Sequence, residues 1–474
     1  MDNGYTAVEL QPQRAGDGVI PKFRRVYEEE NDKDDLPLIV NGSSGRSDGN
    51  EGGKRAAAER PGGSGVPGAV FNLATSVIGA GIMALPAAMK VLGLALGFVS
   101  IVLMGLLSEI SIEFLVRFSV LSGAASYGDV VRTALGRPAR AIAEACVVVN
   151  NAGILIVYLI IIGDVMSGSA NHSGVFYQWF GRGIWEDRRL VILIVLVLFL
   201  LPLCALEGID SLSLSSAASI ALAVLFVVVS CAIAVIRFLR GTTETPRMGP
   251  DFSSSAAILD LLVVVPIMTN AYVCHFNVQP IYNELRGPSS EKMNRVSRIT
   301  TSLCVAVYAC TAISGYLLFG DETQPDVLIN FDQDLDFRFS SVLNDLVRVG
   351  YVLHLVLVFP VIHFSLRQTV GNLVFRGKSP PGRAKTLVLT AVLLSAIYLG
   401  STRIPNIWVA FKFTGATTGL SLGFIFPSLI ALKLSDPAKK TVRRSEKIMA
   451  WLMLVLAVAA GIVGIVGNVF SISD

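Results

Sequence analysis

The chain has 474 residues, of which 53% are hydrophobic and 16% charged, and its mean hydropathy is +0.62. A water-soluble globular protein has no use for that much apolar surface, so a soluble domain is excluded. The net charge of +3 says little, because polarity is distributed loop by loop, and nothing in it calls for nucleic acid.

Residues 1–66 are rich in Gly, Ser, Arg and acidic residues. Such a segment cannot bury enough apolar area to fold alone and is expected to be a disordered cytosolic tail. Residues 67–474 are expected to form the membrane domain. The polar, charged start predicts no cleavable signal peptide, with the first span serving as signal anchor. Within the tail, Asp34, Leu38 and Ile39 match an acidic dileucine pattern. Sorting adaptors read such patterns for endosomal or vacuolar delivery. Chance in an acidic stretch explains the match equally well.

After the tail, apolar runs of about 20 residues recur, the length that crosses a bilayer as a helix. About eleven spans are expected, at 67–89, 93–117, 139–166, 188–206, 212–237, 257–284, 296–319, 340–366, 384–401, 406–433 and 447–470. The six cysteines lie within or at the ends of these spans with no CxxC spacing, so neither a metal nor a structural disulfide is expected.

Loop charge orients the chain, since basic loops stay cytosolic. Arg132, Arg137 and Arg140 follow span 2, and Arg286, Lys292, Arg295 and Arg298 follow span 6. Arg376, Lys378, Arg383 and Lys385 follow span 8, and Lys439, Lys440, Arg443, Arg444 and Lys447 follow span 10. The loop after span 7 instead carries Asp321, Glu322, Asp326, Asp332, Asp334 and Asp336. This predicts a cytosolic N-terminus and a lumenal or exterior acidic loop. Arg237, Arg240 and Arg247 stand on the wrong side. The sequon at Asn171 falls on the lumenal side and is a glycosylation candidate.

Two spans are interrupted. Span 1 carries Gly79, Ala80 and Gly81 near its middle and Pro86 after them. Span 6 runs through Asn270, Tyr272, Cys274, His275 and Asn277 between Pro266 and Pro280. No water satisfies loose backbone groups inside lipid, so such stretches must line a protein cavity. Glycines at Gly79 and Gly81 also read as a packing notch. Matched breaks five helices apart favour an inverted repeat with a midplane site. The expected fold is an all-α membrane protein of about eleven transmembrane helices. It is a five-plus-five inverted repeat with broken helices 1 and 6, plus one extra helix.

The run Cys274-His275 with Pro280-Ile-Tyr-Asn-Glu-Leu285, the stretch Ile78-Gly-Ala-Gly-Ile-Met-Ala-Leu-Pro86, Ser126-Tyr127-Gly128-Asp129 and Gly415-Ala-Thr-Thr-Gly419 together resemble the amino acid/auxin permease family. The resemblance is to its neutral amino acid transporters and their vacuolar, plant-type relatives, and covers Pro67 to Ile472. It implies secondary active transport of amino acids, coupled to protons or sodium, by alternating access. Where sodium-coupled relatives carry Asn in helix 1, this chain has Thr75. Where they carry Thr in helix 8, it has Val356 and Val358 ahead of Pro360. A hard cation needs oxygen ligands, so the expectation is protons rather than sodium.

The resulting substrate-binding expectation is Thr75, Ser76, Gly79, Ala80, Gly81, Tyr272, Cys274 and His275. Half-helix N-termini would face a carboxylate, and half-helix C-termini an ammonium. Proton-coupling candidates are His275, Glu109 and His354; both histidines titrate near neutrality when unperturbed. Glu113 with Arg117 reads as an interfacial pair, Glu144 as structural, and Asp345 with Arg348 as a mutual pair. Amino acid, protons, membrane lipid and adaptors at the tail are the expected partners, with no cofactor and no metal. The competing readings are an amino acid sensor of the same fold and a carrier of auxin-like acids. No catalytic constellation points to an enzyme. The vacuolar or endolysosomal membrane is the expected destination, with plasma membrane and endoplasmic reticulum as alternatives.

Overall fold

The computed structural model describes residues 63–124, 126–169, 172–206, 213–243, 245–252, 255–333, 339–375, 382–433 and 443–473. The dileucine pattern at Asp34, Leu38 and Ile39 and the sequon residue Asn171 lie outside the described residues.

Span 1 is two helices, α1 (Val66–Val77) and α2 (Gly81–Leu92), bent by 59° about the residues between them. Pro67 sits in the first turn of α1, where its missing N–H costs nothing. At Ile78 the backbone turns extended, with ψ 99°. Gly93, at φ 76°, then reverses the chain into α3 (Leu94–Ser122). Ser126 caps the short α4 (Tyr127–Leu135) by accepting from the Asp129 N–H at 3.2 Å. Span 3 is α5 (Arg137–Ser167), and its end pairs Gly168–Ser169 with His172–Ser173 before the short α6 (Val175–Phe180). Span 4 is α7 (Arg188–Val195), a π-helical turn at Leu196–Leu200, and α8 (Leu201–Cys204). Span 5 is α9 (Ser213–Leu239).

Span 6 repeats the design of span 1. α10 (Ser255–Tyr272) stops, and α11 (His275–Glu284) restarts after two residues. Then come α12 (Ser290–Phe319), α13 (Ser340–Phe375) and α14 (Arg383–Arg403). Span 10 is α15 (Ile407–Thr414), π-helical turns at Gly415–Gly419 and Ser421–Ile425, and α16 (Phe426–Lys433). Span 11 is α17 (Arg444–Ser473). Eight helices suffice alone to cross a membrane, and α1 with α2 makes a ninth crossing as a bent pair. The interrupted spans 4 and 6 complete the eleven expected positions among the described residues.

Contacts between chain ends of the spans define two faces. On one, the Ser64 N–H donates to Glu284 O at 2.9 Å and the Arg286 N–H to Ser64 O at 3.0 Å, so span 1 begins where span 6 ends and the two run opposite ways. Arg117 there pairs with Glu113 and Glu446, at 2.9 Å each. On the other face, His172 meets Asp332 at 3.3 Å and Arg247 meets Asp321 at 3.0 Å. The first is the basic-loop face and the second the acidic-loop face. Arg247 is thus no anomaly of loop charge, because Asp321 and Asp251 neutralise it. The outer surface is apolar: Phe98, Val99 and Leu103 on α3 and Trp451, Val455 and Ile462 on α17 are exposed, as lipid solvation requires.

Asp345 and Arg348 do not form the expected pair. Asp345 accepts from Trp179 Nε1 at 2.9 Å, while Arg348 donates to Val165 O, Ser173 O and Gln178 Oε1. Backbone carbonyls at the end of α5 outcompete the i, i+3 neighbour, because Arg348 is almost fully buried and needs several acceptors.

Candidate functional site

The last turn of any helix leaves carbonyls without partners, and a break in mid-membrane puts them where no water reaches. Tyrosines solve this problem here. Tyr308 of α12 places its hydroxyl 2.7 Å from Val77 O and 2.7 Å from Ala271 O. Those two carbonyls end α1 and α10, so opposed half-helices converge on a single hydroxyl. It has one proton for two acceptors. Tyr351 of α13 donates to Gly79 O at 2.8 Å, and the Tyr158 hydroxyl on α5 meets the backbone of Ala80. Ser108 donates to Tyr272 O at 3.4 Å.

The glycines of the break are tightly enclosed. A side-chain carbon at Gly79 would strike the Tyr158 hydroxyl, and one at Gly81 would lie 2.8 Å from Ala271 Cα. Gly81 therefore lets span 1 touch span 6 in this conformation, which is the packing-notch role. Ala80 is buried between them. Thr75 donates to Phe71 O at 2.8 Å and Ser76 to Asn72 O at 3.0 Å, so both hydroxyls are bonded within α1.

Tyr272 and Cys274 face Val77 across a cavity also lined by Leu73, Ser108 and Thr301. It holds about 10 Å³ of free space, enough for one water. The Tyr272 hydroxyl donates to Ile101 O at 3.0 Å, and its ring packs edge-on against Tyr308. The site is closed in this conformation.

His275 opens α11 and is buried, with neither ring nitrogen hydrogen-bonded. It faces away from the cavity, toward Gly423 and Phe424 of span 10. His354 lies on the other side, bonded through Nδ1 to Ser219 O at 2.7 Å and stacked near Tyr351. Glu109 is paired with Arg298, a largely exposed residue, at 3.2 Å. The structure thus separates the three proton-coupling candidates: one beside span 10, one beside the span 1 break, one toward the surface. Glu144 pairs with Arg140 at 2.6 Å, the structural role expected.

A polar chain links span 6 to span 10 and span 3. Asn270 donates to Thr414 at 2.8 Å, and Thr418 to Asn150 at 3.2 Å. The second π-helical turn of span 10 frees Leu422 O and Gly423 O, which accept from Tyr127 at 2.9 Å and from Ser111. Single π turns inside helices often mark functional sites. Tyr158, Tyr308 and Tyr351 escaped sequence reasoning, since a tyrosine in a span reads as packing. The signal available was the need for donors at two breaks, with three tyrosines at midspan positions of long helices.

Residues 62–470 match the family described as Transmembrane amino acid transporter protein. The chain belongs to this family. Members and relatives similar to it include the amino acid transporter AVT6E of Arabidopsis thaliana, 65% identical over 414 residues, covering 87% of this chain and 84% of the relative. AVT6A of the same plant is 44% identical over 430 residues, 89% of this chain and 92% of the relative. A putative sodium-coupled neutral amino acid transporter 11 of Danio rerio is 29% identical over 413 residues, 86% and 87% of the two chains. The family places the chain among multi-pass membrane transporters and not among enzymes. Among solved structures, MhsT in complex with L-phenylalanine covers 98% of its own chain and 85% of this one, with a TM-score of 0.56 at 15% identity. A sodium-coupled sialic acid symporter aligns over 90% of its own chain and 86% of this one, with a TM-score of 0.51 at 11% identity. At such identities these likenesses carry the fold alone, an inverted repeat of transporter helices.

Proposed function

We propose that this protein is a proton-coupled secondary transporter that carries neutral amino acids by alternating access. The observation that carries the reading is the convergence of Val77 O and Ala271 O on one tyrosine hydroxyl. Two helix C-termini, each a negative dipole end, meet at one point, a place suited to an ammonium group. The N-terminal ends of α2 and α11 begin four residues after these carbonyls and suit a carboxylate. A zwitterion satisfies both. In the closed state Tyr308 and Tyr351 hold the carbonyls that the cargo would otherwise engage. Gly79, Ala80, Gly81, Tyr272 and Cys274 flank the crossing, while the Thr75 and Ser76 hydroxyls are bonded within α1. His275 lies beside Phe424 of span 10, and His354 beside Tyr351.

Val356 and Val358 are buried apolar side chains, which supports protons over sodium as the coupling ion. The relatives named as amino acid transporters support the cargo class. The basic-loop face is assigned to the cytosol and the acidic-loop face to a lumen, in line with loop charge. The dileucine pattern supports a vacuolar or endolysosomal destination.

Uptake by the purified chain in proteoliposomes, across a panel of amino acids and with imposed gradients, tests the reading. Neutral amino acids should accumulate with a pH gradient and without sodium. A strict sodium requirement would remove proton coupling, and binding without net flux would make the protein a sensor.

A further inference from the structure

The loop between spans 7 and 8 is not a free acidic flap. Its Val327 N–H donates to Met83 O of α2 at 3.2 Å, and Lys90 of α2 reaches Thr323 O at 3.4 Å. Val327, Leu328 and Phe331 are buried. Asp326 goes down with them and is 2% exposed. Its Oδ1 accepts from the Leu328 N–H at 3.0 Å, and its Oδ2 has no hydrogen-bond partner. An ionised carboxylate with an orphaned oxygen in such a place is expensive; a neutral carboxyl is not.

The charges around Asp326 do not rescue the ionised form. Asp164 of α5 adds repulsion, although Arg188 of α7 pairs with it at 2.5 Å. Arg348 of α13 attracts Asp326 but makes its hydrogen bonds elsewhere. Tyr351 of α13 also feels Asp326, and it is the residue that holds Gly79 O at the span 1 break. Nearby on the same face, Asp332 is engaged by His172 and the Ser173 N–H, Asp345 by Trp179, and Asp321 by Arg247.

We propose that Asp326 is a proton-binding site on the acidic-loop face, loaded when the 320–333 loop docks against α2 and emptied when the loop lifts. The assignment deepens the proton-coupled reading by naming a residue that no expectation singled out. Burial pushes the Asp326 carboxyl up to about 8, with the Leu328 N–H opposing, Asp164 adding and Arg348 opposing. Lifted into water, it returns to an ordinary aspartate value of about 4. Between those values the docked loop holds one proton more than the lifted loop. Docking is therefore fully favoured below about pH 4 and weakens about tenfold per pH unit up to about pH 8. Because Tyr351, which holds Gly79 O, also senses the Asp326 charge, the same proton would bias closure at the break.

Hydrogen exchange of the Val327 and Leu328 amides in the full-length protein in lipid nanodiscs tests this. After correction for intrinsic exchange, the opening constant should rise about 100-fold from about pH 5.5 to about pH 7.5. In Asp326→Asn it should stay low and flat. A pH-independent opening constant in the wild type would overturn the proposal without recourse to any variant, as would an unchanged profile in Asp326→Asn. Uptake by the wild type under a pH gradient, measured alongside, separates the two readings. Loss of that response with loop titration intact would sink proton-coupled transport and leave the Asp326 site standing.

Discussion

At the scale of single residues, Tyr308 carries the largest burden. One hydroxyl serves two buried carbonyls, and leaving such a group unpartnered costs about 1–3 kcal/mol. Tyr308→Phe is expected to lower thermal stability by that order and to slow amino acid uptake about tenfold or more at unchanged surface expression. Wild-type uptake in Tyr308→Phe would show that the convergence is incidental. Thr75 makes the opposite case. Its hydroxyl is bonded to Phe71 O within its own helix, so Thr75→Val should leave uptake within about twofold and stability within about 1 kcal/mol. A large loss of transport in that variant would bring the Thr75 side chain into the site. The sequence placed Tyr272 and Cys274 beside the span 1 break, and the structure brings both to the same cavity as Val77. It made legible the need for donors at the breaks, but not that Tyr158, Tyr308 and Tyr351 supply them, because which distant hydroxyl reaches a freed carbonyl is decided by tertiary packing. It likewise read Asp345 with Arg348 from spacing alone, and the carbonyls of another helix end won.

At the scale of elements, the breaks were legible because glycine and proline weaken helices locally, whatever surrounds them. The span limits were legible because bilayer thickness fixes length: span 10 was expected at 406–433 and its described helical run is 407–433. The π-helical turns of span 10 left no such trace, since they depend on Tyr127 and Ser111 taking up freed carbonyls. Gly81 links two elements directly. A methyl there would press on Ala271 Cα at 2.8 Å, and overpacking of this kind costs about 1–3 kcal/mol. Gly81→Ala should therefore impair transport, and adding Ala271→Gly should restore part of it. Ala271→Gly removes the Cβ at 3.0 Å and leaves the Cα in place, so only partial rescue is expected; wild-type transport in Gly81→Ala itself would show that the close approach is not required. Pro266 is held similarly: Gly415 of span 10 meets its carbonyl and Gly464 of span 11 its ring. The appended helix α17 thus braces α10 just before the break.

At the scale of the whole molecule, two halves run oppositely and meet at their broken first helices. Charge divides the faces, and the contacts of Arg247 with Asp321 and of His172 with Asp332 keep the acidic face knitted across three loops. A protease site or epitope placed within 321–333 should be reached only from the non-cytosolic side of sealed membranes; access from the cytosolic side would reverse the orientation. The central claim is that backbone at the paired breaks recognises a zwitterion, its ammonium at the Val77 and Ala271 carbonyls and its carboxylate at the opposing helix starts. Counterflow in proteoliposomes tests it most directly, comparing a neutral amino acid with its des-amino acid and its methyl ester. A hydrogen bond to a charged group is worth about 1.5–3 kcal/mol, so removing either charge should slow exchange about 10- to 100-fold. Equal exchange of the amino acid and either analogue would contradict the account.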